Sequence, residues 1–213
     1  MSYETTFVQS STKKRKLLIG LIIVLIIVAV GLTAWFLYQK NFGWSTYSNS
    51  KYGYSLRYPS KWALDATYAE KDFVNGVGSE LIISNYKNPL AQLESKNPPA
   101  DLVAVKIAVY KVDASTTLSE FVRSKVIFLL RDDADFVKHK TSLAGLEGEQ
   151  LVYIQSGEIG GILSVKTVVK KDTNIFVLSL NSFKQDLSGK DKYKLPDALA
   201  DVHSAILNSF QLK

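Results

Sequence analysis

The side chains that could do chemistry in this sequence are few, and their spacing matches no common metal site. His139 and His203 are the two histidines, and there is no cysteine. A zinc site would therefore need both histidines and a carboxylate from a distant part of the chain. Neither histidine lies in a His-x-x-His pair. We predict no metal site and no bound cofactor.

The motifs of nucleophilic and phosphate chemistry are also missing. Gly160-Gly161-Ile162-Leu163-Ser164 does not match the Gly-x-Ser-x-Gly elbow of serine hydrolases. There is no Walker loop and no dinucleotide fingerprint. Asp132, Asp133 and Asp135 lack the alternating oxygen donors and central glycine of a calcium loop. We predict no catalytic residue; the alternative is a hydrolase or metal-dependent enzyme whose site is assembled from residues far apart in sequence.

One apolar run decides where the rest of the chain lies relative to a membrane. Leu17 to Tyr38 carries no charge and consists mainly of Leu, Ile and Val. As a helix it spans about 33 Å, which is enough to cross a hydrocarbon core of about 30 Å. Trp35, Phe36 and Tyr38 stand where aromatic side chains meet the membrane interface. We predict a transmembrane helix over residues 17–38.

The charges flanking this run predict its orientation. Lys13, Lys14, Arg15 and Lys16 precede it directly, whereas Lys40 alone follows closely. An excess of positive charge marks the cytoplasmic side, so we expect residues 1–16 in the cytoplasm and the C-terminal domain outside. A cleavable signal peptide ending near Ala29-Val30-Gly31 is the alternative. The apolar run continues well past Gly31, which favours an uncleaved signal-anchor.

Composition limits the partners. Net charge is +6, but four basic residues of the 26 lie in the N-terminal tail, and basic and acidic residues nearly balance after residue 38. This balance argues against nucleic acid. The absence of cysteine excludes disulfides and a lipidated N-terminal cysteine.

Residues 39–43 read as a linker and residues 44–213 as one α+β domain. Thr117-Leu118-Ser119-Glu120 is a capping box that opens a helix to about Leu130, and Pro196 and Asp197 open a last helix. Pro59 ends a strand, and we expect the bulk of Trp62 to close one end of the core. Alternating or apolar runs predict strands over 44–48, 52–58, 64–68, 81–86, 103–111, 136–140, 150–155, 162–170 and 175–180.

The stretch Tyr52-Gly53-Tyr54-Ser55-Leu56-Arg57-Tyr58-Pro59-Ser60-Lys61-Trp62 resembles the opening of the PsbP-like family. Its fold motif is Tyr52, Gly53, Tyr54, Tyr58, Pro59 and Trp62. The capping-box helix and a last helix ending near Ser209-Phe210 follow in the family's order. The resemblance implies an antiparallel sheet with helices on both faces, a PsbP-like α/β/α sandwich. Members of the family include photosynthetic lumen subunits, a nuclear-import cofactor and many bacterial extracytoplasmic proteins, and with its membrane anchor this chain resembles the bacterial group. The resemblance names no ligand.

The expected function follows from these features together. We expect a single-pass cell-membrane protein whose extracytoplasmic domain binds or assists another envelope protein or surface component, without catalytic activity of its own. Its partners are then the lipid bilayer and that component, and not nucleic acid. A purely structural envelope tether is a further alternative. The aromatic residues between Tyr47 and Trp62 are interpreted as packing rather than as a ligand platform.

Overall fold

The structure is a computed structural model that describes residues 8–68, 77–88, 99, 101–127, 136–157, 160–184, 193–195 and 197–213. It divides into two compact units, Met1–Trp44 and Ser45–Lys213. The second unit begins one residue after the predicted start of the domain.

The first unit is built on one helix, α1, which runs from Val8 to Phe42. The predicted span of residues 17–38 lies inside it. The sequence analysis expected a polar tail before the span and a linker after it, yet residues 8–16 and 39–42 continue the helix. Neither stretch contains proline or glycine, so no residue interrupts the backbone hydrogen bonds until Gly43. The first seven residues lie outside the described residues.

From Trp44, the last residue of the first unit, to Lys213 the described residues contain ten strands and two further helices. The strands are β1 Trp44–Asn49, β2 Tyr54–Pro59, β3 Ala63–Tyr68, β4 Val77–Ser84, β5 Val103–Lys111, β6 Phe136–Leu143, β7 Leu146–Gly157, β8 Gly160–Lys171, β9 Asn174–Lys184 and β10 Gln211–Leu212. Helix α2 is an α-turn over Leu118–Phe121 that continues as a π-helical turn over Val122–Ile127, and α3 is Asp197–Ser209.

Seven strands form one antiparallel sheet in the order β3-β4-β5-β9-β8-β7-β6. The chain crosses from β5 to the far edge at β6 and returns through the meander β6-β7-β8-β9 to pair β9 with β5. Residues Ile175 to Leu180 of β9 are all buried, which fits an apolar strand with neighbours on both sides. The prediction of a central strand there is confirmed.

Helices cover both faces of this sheet, because side chains alternate across each strand. On one face, Phe121, Val122 and Val126 of α2 pack in a buried cluster with Val177 and Val168 of the sheet. On the other, Phe176 contacts Phe210, the residue that follows α3. We call these the α2 face and the α3 face. The predicted α+β fold, an antiparallel sheet with helices on both faces, is confirmed.

A second, three-stranded sheet, ordered β1-β2-β10, was not foreseen. Strand β10 pairs with β2 antiparallel, with Gln211 opposite Ser55 and Leu212 opposite Tyr54. The large sheet also differs in its strand lengths. Strand β4 begins at Val77, before the predicted start at residue 81. Strand β6 continues past residue 140 and β7 begins before residue 150, so that the two strands meet at a tight turn.

Candidate functional site

The predicted fold motif consists of residues of strand β2 and of the turns on either side of it, and Tyr54 is its most enclosed member. Tyr54 is 0% exposed, and its ring contacts those of Phe176 and Phe210 at centroid distances of 6.1 and 5.8 Å. Tyr47 of β1 lies 6.0 Å from the same ring. Burial raises the pKa of the Tyr54 hydroxyl. This side chain therefore joins the small sheet to the large one, and it offers no ligand surface.

Tyr52 and Gly53 form the turn before β2. The Tyr52 hydroxyl donates a hydrogen bond to the Gly78 carbonyl oxygen at 2.6 Å, and its backbone N–H donates to Asn49 Oδ1 at 3.0 Å. Gly53 has φ +65°, a conformation that favours glycine, and its carbonyl oxygen accepts from the Lys213 N–H at 2.7 Å. Both residues thus serve the turn and its contacts.

The end of the motif is less enclosed than the sequence suggests. Tyr58, Pro59 and Trp62 are half-buried, so Trp62 does not close the core as expected. The Trp62 N–H donates to the Pro59 carbonyl oxygen at 2.9 Å, which makes a tight turn between β2 and β3. A residue in a connecting turn contacts the rest of the protein on one side and solvent on the other, which explains why Trp62 is partly exposed.

The two histidines occupy different elements. His139 is exposed on β6, whereas His203 is half-buried on α3. Burial lowers the pKa of His203 to about 4, so its imidazole is neutral near pH 7. Within the described residues no cluster of three or more His, Asp or Glu side chains could hold a metal ion. The Asp132–Asp135 cluster lies outside those residues.

The residues predicted to set membrane topology all fall in α1. The backbone of Lys13 to Lys16 continues the helix, as does that of Phe36 and Tyr38, and Trp35 is 62% exposed. The window Leu18–Trp35 has a mean hydropathy of 2.9, and none of it is buried. A helix this long and this apolar meets the requirements for crossing a membrane.

One concave site in the described residues is a cleft of about 700 Å³ where α2 meets the β6–β7 hairpin. Three segments line it, and the lining residues are Leu118, Ser119, Lys140, Thr141, Ser142, Glu147, Gly148 and Glu149. Hydroxyls, one ammonium and two carboxylates thus surround one apolar side chain. This lining offers hydrogen-bonding and charged groups beside an apolar surface.

Helix α2 is fixed against this cleft by its own cap and by one carboxylate. Thr117 and Glu120 form the predicted capping box, with Thr117 N–H donating to Glu120 Oε2 at 2.9 Å. The Ser119 hydroxyl donates to Glu149 Oε1 at 2.8 Å, and Lys138 Nζ lies 2.7 Å from Glu149 Oε2. Glu149 thus links Ser119 of the helix, through a hydrogen bond to Oε1, with Lys138 of β6, through an ion pair to Oε2, and so positions the helix.

Close packing holds the cleft floor in place. A Cβ added at Gly148 would lie 2.6 Å from the Val168 carbonyl oxygen and 2.7 Å from Val169 Cγ1. Only glycine therefore allows β7 to approach β8 this closely. The sequence analysis missed this site because its lining comes from three separate segments, and the Gly148 position carries no recognisable motif.

Comparisons with known proteins give a structural likeness alone. No protein-family model and no curated protein matches the chain. The chain is similar to the solution structure of cyanobacterial PsbP from Synechocystis sp. PCC 6803, with 14% identity, 80% of this chain and 93% of that one covered, and a TM-score of 0.47. It is also similar to LpqN, involved in cell envelope biogenesis of Mycobacterium tuberculosis, with 15% identity, coverage of 80% and 90%, and a TM-score of 0.46.

A third similar structure is a Pseudomonas aeruginosa protein of unknown function described as a putative regulator, with 14% identity, coverage of 68% and 85%, and a TM-score of 0.39. The resemblance to PsbP-like proteins that the Tyr52–Trp62 motif predicts is thus met again among solved structures. At these identities and TM-scores no activity or ligand transfers to this chain.

Proposed function

We propose that this chain is a single-pass membrane protein whose C-terminal unit is an extracytoplasmic binding or accessory domain without catalytic activity of its own. The observation that carries the proposal is the exposed apolar surface of α1. Every side chain from Leu18 to Trp35 is exposed, and the window holds no charged residue. In water such a surface would be costly, whereas a bilayer covers it completely.

The basic cluster Lys13–Lys16 on the N-terminal side supports an inward-facing N-terminus. The second unit then folds outside the cytoplasm, where the lack of cysteine is compatible with oxidising conditions. Its partners are the lipid bilayer and another envelope protein or surface component, and nucleic acid has no part in the proposal.

A binding role is supported by the chemistry of the cleft. Glu149 is already paired with Lys138 and Ser119, so the carboxylate best placed for acid or base work is committed to structure. The remaining groups are hydroxyls, Lys140 and Glu147, which can hold a polar ligand by hydrogen bonds and charge.

The test is protease protection in intact cells carrying the full chain with one tag before Met1 and another after Lys213. Added protease should remove the C-terminal tag and spare the N-terminal one, and detergent should expose both. Reversing the flanking charge, by changing Lys13 to Lys16 into glutamates, should lower the fraction with this orientation. A C-terminal tag that survives protease in intact cells but not in detergent would overturn the proposal.

A further inference from the structure

In the described part of the chain, β6 is an edge strand of the large sheet: it pairs with β7 on one side, and its other side faces away from the sheet. Between the residues that the structure describes, no backbone hydrogen bond joins this outer edge to another segment. Five of the first seven side chains of β6 are exposed, and Phe136 is 40% exposed. An edge of this kind is a template for another extended chain.

The β6 edge is regular, unlike the opposite edge of the same sheet. All eight residues of β6 pair with β7 in continuous register, from Phe136 opposite Tyr153 to Leu143 opposite Leu146. At the other edge, the register of β3 shifts between Asp65 and Tyr68. Irregularities of that type blunt a sheet edge. The large sheet therefore presents one edge that is blunted and one that is suited to pairing.

The turn that closes the β6–β7 hairpin identifies which backbone groups face outward. Ala144 and Gly145 both have positive φ, 52° and 77°, as in a two-residue type I′ turn. In such a hairpin the flanking residues, Leu143 and Leu146, form a hydrogen-bonded pair, and bonded and non-bonded pairs then alternate. Counting back along β6, the N–H and C=O groups of Ser142, Lys140 and Lys138 point away from β7.

Two of the residues whose backbone groups point away from β7 also carry the charge of this edge. Lys138 and Lys140 lie on the α2 face, and no acidic residue occurs in β6. Lys138 is paired with Glu149, while Lys140 forms no ion pair with a carboxylate in the described part of the chain. Lys140 also lines the cleft next to Ser142. An ammonium group thus stands beside the outward backbone groups and the mouth of a polar cleft.

We propose that β6 binds an extended acidic segment of a partner protein as an additional antiparallel or parallel strand, with an acidic side chain of that segment facing Lys140 at the cleft. Main-chain hydrogen bonds supply affinity in this mode, and a cleft for alternate side chains supplies selectivity. The inference rests on the proposed binding function and names the chemical class of the partner.

The charge of the edge argues for this occupant over a second copy of the chain. Two β6 strands side by side would bring Lys138 and Lys140 of one copy close to those of the other, and like charges on neighbouring strands destabilise pairing. An acidic strand instead makes an opposite-charge pair with Lys140, while Lys138 keeps its pair with Glu149. A second copy is therefore an outcome that the experiment must be able to show.

The experiment uses the full chain in detergent micelles and two labelled ten-residue peptides, one alternating threonine and glutamate and the other alternating threonine and lysine. We expect the glutamate peptide to bind more tightly by fluorescence anisotropy. Amide exchange at Lys138, Lys140 and Ser142 should slow at least tenfold on binding, while exchange at His139 and Thr141, already bonded to β7, should change little. This alternation distinguishes strand addition from contact with side chains alone.

The matched variants are Lys140→Glu and Lys61→Glu, which make the same charge change at exposed positions on opposite parts of the domain. Lys140→Glu should weaken the glutamate peptide about fivefold and reverse the preference between the peptides, whereas Lys61→Glu should do neither. Equal effects of the two variants, no peptide binding, or a dimer of the full chain that Lys140→Glu abolishes would each overturn the inference. If protease protection still places the domain outside, only this inference fails, and the proposed function stands.

Discussion

Placing aspartate inside α1 tests whether this helix holds the chain in a bilayer. Twelve Leu, Ile and Val side chains lie exposed between Leu18 and Leu32. Near the centre of a span each contributes about 0.3–0.6 kcal/mol to insertion, so together they supply about 4–7 kcal/mol at most. One central aspartate costs about 2.5–3.5 kcal/mol and also removes one apolar contribution. A single Ile26→Asp should therefore weaken insertion, and Ile23→Asp with Ile27→Asp should offset all of this contribution.

The assay is pulse-labelled cells lysed, washed with alkaline carbonate and floated on a sucrose gradient. Wild type should float with the membranes, Ile26→Asp should distribute between fractions, and the double aspartate variant should stay at the bottom. The control, Ile23→Leu with Ile27→Leu, keeps apolar area and should float fully. Flotation separates inserted protein from aggregates, which also pellet.

Two results would refute this reasoning. A double aspartate variant that floats like wild type would mean that the window Leu18–Trp35 does not anchor the chain. A wild-type protein recovered in the soluble fraction with its N-terminus near Leu32 would show that the segment is a signal peptide and is removed.

Three further predictions concern the folded domain, each measured by urea unfolding of the full chain in micelles. Phe210→Ala should lower the free energy of unfolding by about 3–5 kcal/mol, because Phe210 is 2% exposed and stacks on Tyr54, whereas Ser142→Ala on the exposed hairpin should change it little. Gly148→Ala should cost about 1–3 kcal/mol through the clash with the Val168 carbonyl, and a neutral result would mean that β7 moves away freely. Lowering the pH from 7 to 5 should reduce the free energy of unfolding by at most about 2 kcal/mol through His203. The unfolded imidazole, with a pKa of about 6.5, gains a proton over this range, whereas the folded one, with a pKa of about 4, does not. His203→Phe should remove this part of the pH dependence.

The central elements of the fold could be predicted because local pattern and global position agree. Val103 to Lys111 alternates over nine residues, and the strand occupies those bounds. The capping box at Thr117 and Glu120 is present as expected, since it depends on residues three positions apart. The buried run Ile175 to Leu180 required a neighbour on each side, and β5 and β8 supply them.

Pairings between distant segments are what the sequence could not reveal. Strand β10 has two residues and exists because it meets β2, from which it is separated by most of the domain. The β6–β7 hairpin turns at Ala144-Gly145, which lacks the Asn-Gly or Asp-Gly signal of a type I′ turn, and the residues beyond Leu143 and Leu146 are largely polar. The cleft depends on both the hairpin and α2, so none of its lining could be grouped in advance.

The lysines of β6 can both protect this edge from aggregation and leave it open to a chosen partner. A regular, exposed edge strand promotes aggregation, and charged side chains such as lysine are a common safeguard against it. At β6 that safeguard depends on the partner, because Lys138 and Lys140 repel another basic strand while attracting an acidic one. At β3 the register shift makes the edge less regular for any partner, whatever its charge. A domain that needed only protection from aggregation could have an irregular strand like β3 at both edges of the sheet. Keeping eight paired residues without a bulge and placing Lys140, which forms no ion pair among the described residues, beside the cleft is consistent with an edge retained for selective pairing.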